Sequence, residues 1–393
     1  MPQTVLSIVS TLKRCGPISV VEGIARNLNV SKHRAVIATL FPNRSDSAVK
    51  EFRGLGIQVE EMNMSHAACL TTGRRRLRQL VTALSVDLIH CHGFWANLVV
   101  ATASFDVPRL ATIHAQLMND YQMVHGRVAG AWLGRLEYAA LRRFDRVVAV
   151  SEAAAEAAGF HNVQCEVILN GIDLNRFGTP AGPSHKAELR KRLILPGSSI
   201  VVLHTGALNS LKQPVEVVTG FLASKLSRNA VLVFAGDGPL RQQCEKAAEG
   251  APNVVFLGSR EDIPDLLRAG DVLISNSRSE GLPMALLEGC ASGVRIIASD
   301  IAPHRRVRNE FGEQVFIYHG HNPDDVAVAL DAKCPRELEV TVRPSPKALA
   351  VFSAQRMSRD YQAVYARYCR DSARRVCAEN SQVRTVQNGY RRS

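Results

Sequence analysis

One pattern governs what this chain can fold into: short apolar runs alternate with helical periodicity along most of its length. The runs fall at 5–9, 35–40, 57–61, 88–91, 110–113, 147–150 and 167–169. They resume at 200–204, 231–235, 254–257, 272–275, 295–298 and 314–318. Helical patterns such as 20–27, 74–84 and 127–144 lie between them. Several runs are apolar throughout, as strands covered on both faces must be. Strand–helix alternation of this kind folds as an open parallel sheet with helices on both sides.

The rhythm breaks once. Gly178, Pro180, Gly182 and Pro183 interrupt it and a charged helical segment follows, so 176–195 reads as a linker. No repeat at a fixed period relates the two halves. The expectation is an α/β protein of two Rossmann-like, doubly wound domains, 1–175 and 196–350, facing each other across a cleft. The segment 351–370 carries Met357, Tyr361, Val364, Tyr365 and Tyr368 at helical spacing and is expected to be a helix returning to the N-terminal domain. The stretch 371–393 holds five arginines, two acidic residues and little apolar patterning, and reads as a disordered basic tail. Ligands of such sheets bind at the carboxyl ends of the strands, beside helix N-termini.

Composition removes whole classes. At 393 residues, 46% hydrophobic and 21% charged, the chain is an ordinary globular protein and not a fibrous or disordered one. Its nine cysteines form no C-x-x-C pair and no Cys/His cluster at zinc spacing, which reads as buried thiols in a reducing cytosol. No apolar run approaches the roughly 20 residues of a membrane span. MPQTVLSIVSTLKRCG has its basic pair after the apolar stretch and lacks a cleavage site, so it reads as a first strand and not a signal peptide. A cytoplasmic protein is expected.

The net charge is +12, which suits an anionic partner: nucleic acid, a membrane surface or a phosphorylated substrate. Positions 1–176 hold 19 basic and 14 acidic residues and 177–393 hold 29 and 22, so the excess marks neither half. No module interleaves basic residues with aromatics, and nucleic acid is not an expected partner. An NAD-dependent oxidoreductase remains the alternative from another class, disfavoured because no G-x-G-x-x-G follows the first strand.

The densest chemical signal is Asn276-Ser-Arg-Ser-Glu280-Gly281-Leu282-Pro283-Met-Ala-Leu-Leu-Glu288-Gly-Cys-Ala-Ser-Gly293. On one continuous helix the two carboxylates would stand about 12 Å apart along the axis, too far to act on one atom. Pro283 suits the first helical position, which leaves Glu280 in the preceding loop. The free N–H groups of that first turn make an anion site. Glu288, a turn and a half in, can accept hydrogen bonds from hydroxyls. This layout fits a nucleotide sugar, with its sugar at the loop, diphosphate at the helix terminus and ribose at the second carboxylate. A capped surface helix fits it as well.

Other candidates are weaker alone. His114 ends an apolar strand where the sheet edge meets the cleft. Gly16 is a turn glycine before the first helix, where the backbone can approach a phosphate or sugar. His90 and His92 share a face of one strand and read as structural, since no third ligand completes a metal site. The run Arg74-Arg-Arg-Leu-Arg78 reads as the basic end of a helix, either solvated or touching anionic lipid.

Taken together, these residues resemble the family 4 glycosyltransferases of the GT-B fold. Glu280-Gly-Leu-Pro with Glu288 and Gly293 resembles that family's E-x7-E signature. Asp87-Leu-Ile-His-Cys-His92, Asp145-Arg-Val-Val-Ala-Val-Ser151 and Ile168-Leu-Asn-Gly-Ile-Asp173 resemble its first-domain and linker strands. Ala235-Gly-Asp-Gly-Pro-Leu-Arg241 and Val255-Phe-Leu-Gly258 resemble its second domain, so the likeness covers roughly residues 4–370.

The resemblance implies a retaining transfer from a nucleoside-diphosphate sugar, UDP-linked, without metal or further cofactor. The acceptor would be a glycan or lipid-linked molecule in surface polysaccharide biosynthesis, exopolysaccharide or lipopolysaccharide, in the cytoplasm or peripherally on the membrane's inner face. Glu280 and His114 would position the sugar. Lys212, Gly206, Gly281, Leu282, Pro283, Glu288 and Gly16 would hold the donor, Lys212 at its diphosphate. Two positions depart from the pattern: Ala207 stands where the family has arginine, and Gly16-Pro17 where it often has two glycines. Arg278 and Arg260 are candidates to replace the missing guanidinium. A nucleotide-sugar epimerase or an inactive relative would share the fold.

Overall fold

The computed structural model describes residues 2–44, 47–334 and 341–369; the expected tail, 371–393, lies outside them. Seven strands form the first sheet: β1 (Gln3–Val9), β2 (His33–Thr39), β3 (Gln58–Glu61), β4 (Leu88–His92), β5 (Arg109–Ile113), β6 (Arg146–Ala149) and β7 (Cys165–Val167). All pair in parallel in the order β3-β2-β1-β4-β5-β6-β7. The second sheet has six: β8 (Ile200–Thr205), β9 (Ala230–Ala235), β10 (Val254–Phe256), β11 (Val272–Ser275), β12 (Arg295–Ser299) and β13 (Val315–Tyr318). Its order is β10-β9-β8-β11-β12-β13, again all parallel. Both orders reverse beside the first strand of the lobe, at β1/β4 and β8/β11, and these switch points are where doubly wound sheets bind ligands. This is the GT-B architecture.

The central strands are buried on both faces, which explains why they read as unbroken apolar runs. Leu6 and Ile8 pack to one side of the first sheet with Val99 and Leu141, while Val5 packs to the other with Val20 and Ile24. Helix 354–369 completes that second side. Met357, Tyr361, Val364 and Tyr365 are fully buried there against Val5, Leu88, Leu110 and Val148. Its entry is fixed by a bridge between Ile172 and Ser353, where a Cβ on Gly171 would stand 2.3 Å from the Ser353 carbonyl oxygen.

Two local expectations need correction. The stretch 116–127, whose composition reveals little, reads as a loop on which specificity would depend, but Leu117–His125 is a helix packed on the helix Arg127–Leu141. Gly130 and Gly134 allow that packing: a Cβ on Gly130 would meet the Tyr121 carbonyl oxygen at 2.3 Å. Tertiary contact, not periodicity, makes this helix. Cys15, expected among buried thiols, is exposed, whereas Cys69, Cys91, Cys244 and Cys290 are buried.

The charged helix Pro183–Arg192 is docked on the second lobe. Lys186 Nζ lies 2.6 Å from Asp271, whose other oxygen accepts from Arg190 and from the Val201 amide at 2.8 Å. All three charged side chains are nearly sealed from water, so removing Asp271, the anion both cations share, leaves two uncompensated buried charges.

Candidate active site

On the second lobe the site is assembled from the turns after β8 and β11. Gly206, at φ 123°, turns the chain out of β8. Its carbonyl faces Gly236, where a Cβ would intrude to 1.8 Å; the Leu208 amide donates to the Asp237 carbonyl at 3.1 Å, and a Cβ on Gly238 would stand 2.4 Å from the Leu208 carbonyl oxygen. The Gly-Asp-Gly motif after β9 therefore clamps the loop that carries Lys212. Within that loop the Asn209 side chain accepts from the amides of Leu211 and Lys212, both at 3.1 Å. The Arg278 amide donates to Leu211 at 2.8 Å and ties this loop to the one after β11.

That second loop is held from beneath. Asn276 and Ser277 are fully buried; Tyr318 donates to the Asn276 side chain at 2.7 Å, and Ser299 to the Ser277 carbonyl at 2.7 Å. Glu280 projects from it into an ion pair with Lys212 and accepts from Ser277 Oγ at 2.8 Å. Burial alone would raise the Glu280 carboxyl, but Lys212 and the Ser277 hydroxyl outweigh it and hold it below its usual range. The loop then enters the helix Met284–Ala291. Pro283, expected at its first helical position, is the capping residue, with extended ψ of 102°. The shift of one residue follows from the turn at Gly281–Leu282 and leaves Glu280 outside the helix. The Glu288 carboxyl, in the helix's second turn, receives no hydrogen bond among the described residues; burial pushes it up to about 7 against the opposing pull of Arg176 and Lys212.

The first lobe meets this loop directly. Gly281 packs on the His114 carbonyl, Gln116 Nε2 donates to the Glu280 carbonyl at 3.4 Å, and Asn170 Nδ2 to the Leu282 carbonyl at 3.2 Å. The His114 ring is bonded to His92, Nε2 to Nδ1 at 2.9 Å, and burial lowers its pKa to about 4. His114 is thus a neutral imidazole at physiological pH. Gly16 opens the helix Gly16–Arg26 with a Cβ position 3.5 Å from the Met284 side chain, so two helix N-termini converge. A narrow cleft between those helices is lined by Ser19, Gly23, Arg176, Met284 and Glu288. A far larger cavity, about 980 Å³, lies at the opposite end of the helix Met284–Ala291, beside Lys186, Ala291 and Arg343.

The structure therefore brings Lys212, Glu280, Gly281 and His114 to one point, with Leu282, Pro283 and Gly16 beside it and Glu288 along the same helix. Gly206 serves the backbone of the Lys212 loop. Of the two arginines put forward for Ala207, Arg260 is committed to Asp262 (Nε to Oδ1 2.8 Å), while Arg278 is exposed next to the Lys212 loop. His90 is a core residue, bonded to Tyr365 at 2.9 Å and Thr112 at 2.8 Å. Asp120 was not legible in the sequence. It accepts from Ser279 Oγ across the lobes, and burial together with the Glu280 charge lifts its carboxyl to about 6, against the Ser279 hydrogen bond and Lys212. Nothing in the pattern of 116–127 marks it, because its partner lies 159 residues away. Among the described residues no group of three or more His, Cys, Asp or Glu could hold a metal ion.

Comparison with known proteins agrees with this geometry. Residues 16–176 match the family described as Glycosyltransferase Family 4, and 199–332 the family described as Glycosyl transferases group 1. The chain is 26% identical over 253 residues to the UDP-Gal:alpha-D-GlcNAc-diphosphoundecaprenol alpha-1,3-galactosyltransferase of Escherichia coli, covering 60% of this chain and 63% of that one. It is 23% identical over 366 residues to the O-antigen biosynthesis glycosyltransferase WclY of Escherichia coli, covering 91% and 96%. Its fold is that of Anabaena Alr3699/HepE, solved in complex with UDP-glucose, at a TM-score of 0.77, 21% identity and coverage of 92% and 99%.

Proposed function

The chain belongs to the family 4 glycosyltransferases of the GT-B fold, and from that premise we propose that it transfers a sugar from a UDP-sugar to a lipid-linked glycan acceptor in surface polysaccharide biosynthesis. The observation that carries this reading is the Lys212–Glu280 pair set against His114 at the meeting of the two lobes. An ammonium beside a loop and two helix N-termini suits a departing diphosphate, and Glu288 suits the ribose hydroxyls. The names of the galactosyltransferase and of the UDP-glucose complex support the donor and acceptor classes.

The reaction breaks the bond from the anomeric carbon to the diphosphate oxygen and forms one to the acceptor oxygen. The acceptor proton passes to the departing diphosphate, and the new bond forms on the face the old one left. Lys212 exchanges its pairing with Glu280 for the diphosphate, which frees the carboxylate for sugar hydroxyls. His114, neutral and fixed through His92, holds the sugar from the other side. Lys212 and the helix N-terminus would offset the leaving charge. The second lobe would hold the donor and the first the acceptor, on the inner face of the cytoplasmic membrane.

Calorimetric titration with UDP, GDP and NAD tests the donor class. Binding of UDP, lost in Glu288→Ala, is expected; no nucleoside-diphosphate binding would sink the transferase reading, and preference for NAD would favour an oxidoreductase. Incubation of UDP-sugars with lipid-diphosphate acceptors, with the product's anomeric configuration read by NMR, then tests transfer and retention. Sugar returned as an isomerised nucleotide would mark an epimerase.

A further inference from the structure

We infer that a row of aromatic side chains on the first lobe, Tyr121, Phe94, Trp95 and His66 over a floor of Phe41, is a subsite for neutral sugar rings of the acceptor. The rings stack on the row, and Asp120 at its inner end receives a sugar hydroxyl. The inference rests on the transferase reading for its purpose, and gives the acceptor a glycan portion that binds beyond the one hydroxyl that reacts.

Four separate segments supply the row. Phe41 follows β2, and His66 opens the helix after β3. Phe94 and Trp95 stand just past the Gly93 turn after β4, and Tyr121 belongs to the helix after β5. All lie beyond the carboxyl ends of their strands, the edge at which doubly wound sheets take ligands. Yet they form one network. The Tyr121 and Phe94 ring centroids are 6.1 Å apart, those of Phe94 and Trp95 5.5 Å, and those of Trp95 and His66 5.0 Å. Phe41 lies 5.6 Å from Trp95 and 4.4 Å from His66. Phe94 meets Tyr121 edge to face at 80°, and Trp95 meets both Phe94 and Phe41 so at 88°, which fixes how the rings are turned.

Core packing does not account for the row. Phe41 is buried, but Phe94, Trp95 and Tyr121 are only half-buried and His66 is exposed. The Tyr121 hydroxyl donates inward to Glu137, which is 2% exposed and held by Asn97 at 2.7 Å. That buried carboxylate has no part in the proposed reaction. Its effect is to occupy the one polar atom of the Tyr121 side chain, so that what Tyr121 leaves to the cleft is its ring.

Chemistry selects the occupant. A pyranose presents C–H groups on its faces and hydroxyls at its rim. The C–H groups suit the negative faces of aromatic rings, and a carboxylate suits the hydroxyls. Asp120, next in the chain to Tyr121, accepts from Ser279 through one oxygen, and its other oxygen has no partner among the described residues. Ser279 precedes Glu280, so the row's inner end reaches the Lys212–Glu280 pair. At the same end His92, two residues before Phe94, holds the His114 ring at 2.9 Å. An isoprenoid tail on the row would set the Asp120 carboxylate and the His66 imidazole against hydrocarbon. A diphosphate would meet no lysine or arginine among these six residues.

The test reads Trp95 directly. The chain has two tryptophans, and Trp132 is 63% exposed, so W132F leaves Trp95 as the only indole without disturbing the core. Emission of the full-length W132F chain is followed with UDP present while glucose-, galactose-, mannose- and N-acetylglucosamine-based disaccharides, or farnesyl diphosphate, are added. A saturable change with at least one disaccharide, and none with farnesyl diphosphate, is expected. Calorimetry with the responding disaccharide should then show affinity lowered about fivefold or more in W95L and F94L, which keep an apolar side chain, and largely retained in W95F, which keeps a ring. D120N should lower it as well, whereas I194S, at an exposed residue elsewhere, should not. UDP affinity unaltered in W95L and F94L shows that both are folded. No response to any disaccharide, an equal response to farnesyl diphosphate, or affinity unchanged in W95L overturns the inference. A chain that binds UDP without answering to a disaccharide defeats the subsite alone, and one whose Trp95 answers to a disaccharide but which never binds UDP defeats the transferase reading instead.

Discussion

Gly281 lies against the backbone of His114 so closely that a Cβ on it would stand 2.0 Å from the His114 carbonyl oxygen and 2.6 Å from its carbonyl carbon. The loop of one lobe and the strand end of the other are thus in register through backbone atoms, which cannot swing aside as a flexible side chain can. Gly281→Ala is expected to push the lobes apart at the reacting centre. Transfer should fall by about two orders of magnitude, as for an ångström-scale misplacement. UDP affinity, which the proposed reading assigns to Lys212 and Glu288, should change far less. Steady-state kinetics beside calorimetry would show the split.

In the proposed reaction Lys212 and Glu280 take opposite duties once the donor enters, so their variants should differ. Lys212→Met removes the cation from the diphosphate and leaves Glu280 buried without its counter-charge. UDP affinity should drop by about 2–3 kcal/mol, the range of a charge-assisted contact. Glu280→Gln keeps a hydrogen-bonding group and frees Lys212 from its pairing, so UDP should bind at least as tightly while transfer is lost. Calorimetry and turnover on the two variants check the pairing; equal loss of UDP binding in both would refute it.

Glu288 gives a pH signature with a defined sign. Its folded pKa of about 7 lies above that of a free glutamate, so folding takes up a proton between those values. Its contribution to stability is present at low pH and lost as pH rises through 7. In Glu288→Gln that dependence vanishes, and without donor the variant should gain about 2 kcal/mol relative to the parent between pH 5 and pH 8, allowing for partial exposure. Denaturant unfolding at the two pH values measures the difference. UDP should show the complementary trend in the parent, binding more tightly as the carboxylate forms, because only that form accepts from both ribose hydroxyls.

The strands were legible because both sheets are covered on both faces, so β1, β5, β8 and β11 had to be apolar and short. Their ends were less so: β2 starts at His33, a polar residue that the partner strand β1, pairing at Gln3, recruits into the ladder. Lys212 and Glu280 are 68 residues apart, and only the family resemblance joined them before the fold did. Asp120 and Ser279 had no such help. Neither belongs to a periodic pattern, and their hydrogen bond exists only because two separately folded lobes meet.

The returning helix 354–369 offers a last prediction, since it ties stability to the site. Tyr365 is fully buried and bonded to His90 at 2.9 Å; His90 is bonded to Thr112 at 2.8 Å, and Thr112 to Tyr361 at 3.0 Å. Burial keeps His90 neutral, at a pKa of about 3, so one ring nitrogen must accept while the other donates. Tyr365→Phe removes one end of this chain without opening a cavity and should cost about 1–3 kcal/mol, the penalty of an unsatisfied buried group. Tyr365→Ala adds the cavity and should cost about 3–5 kcal/mol. The His90 ring sits 4.1 Å from that of His92, which in turn holds His114. Tyr365→Phe should therefore also slow transfer at saturating donor, whereas Val328→Ser, on an exposed face of the other lobe, should leave both stability and turnover unchanged. A loss of stability in Tyr365→Phe with unaltered turnover would confine the hydrogen-bonded chain to a structural role.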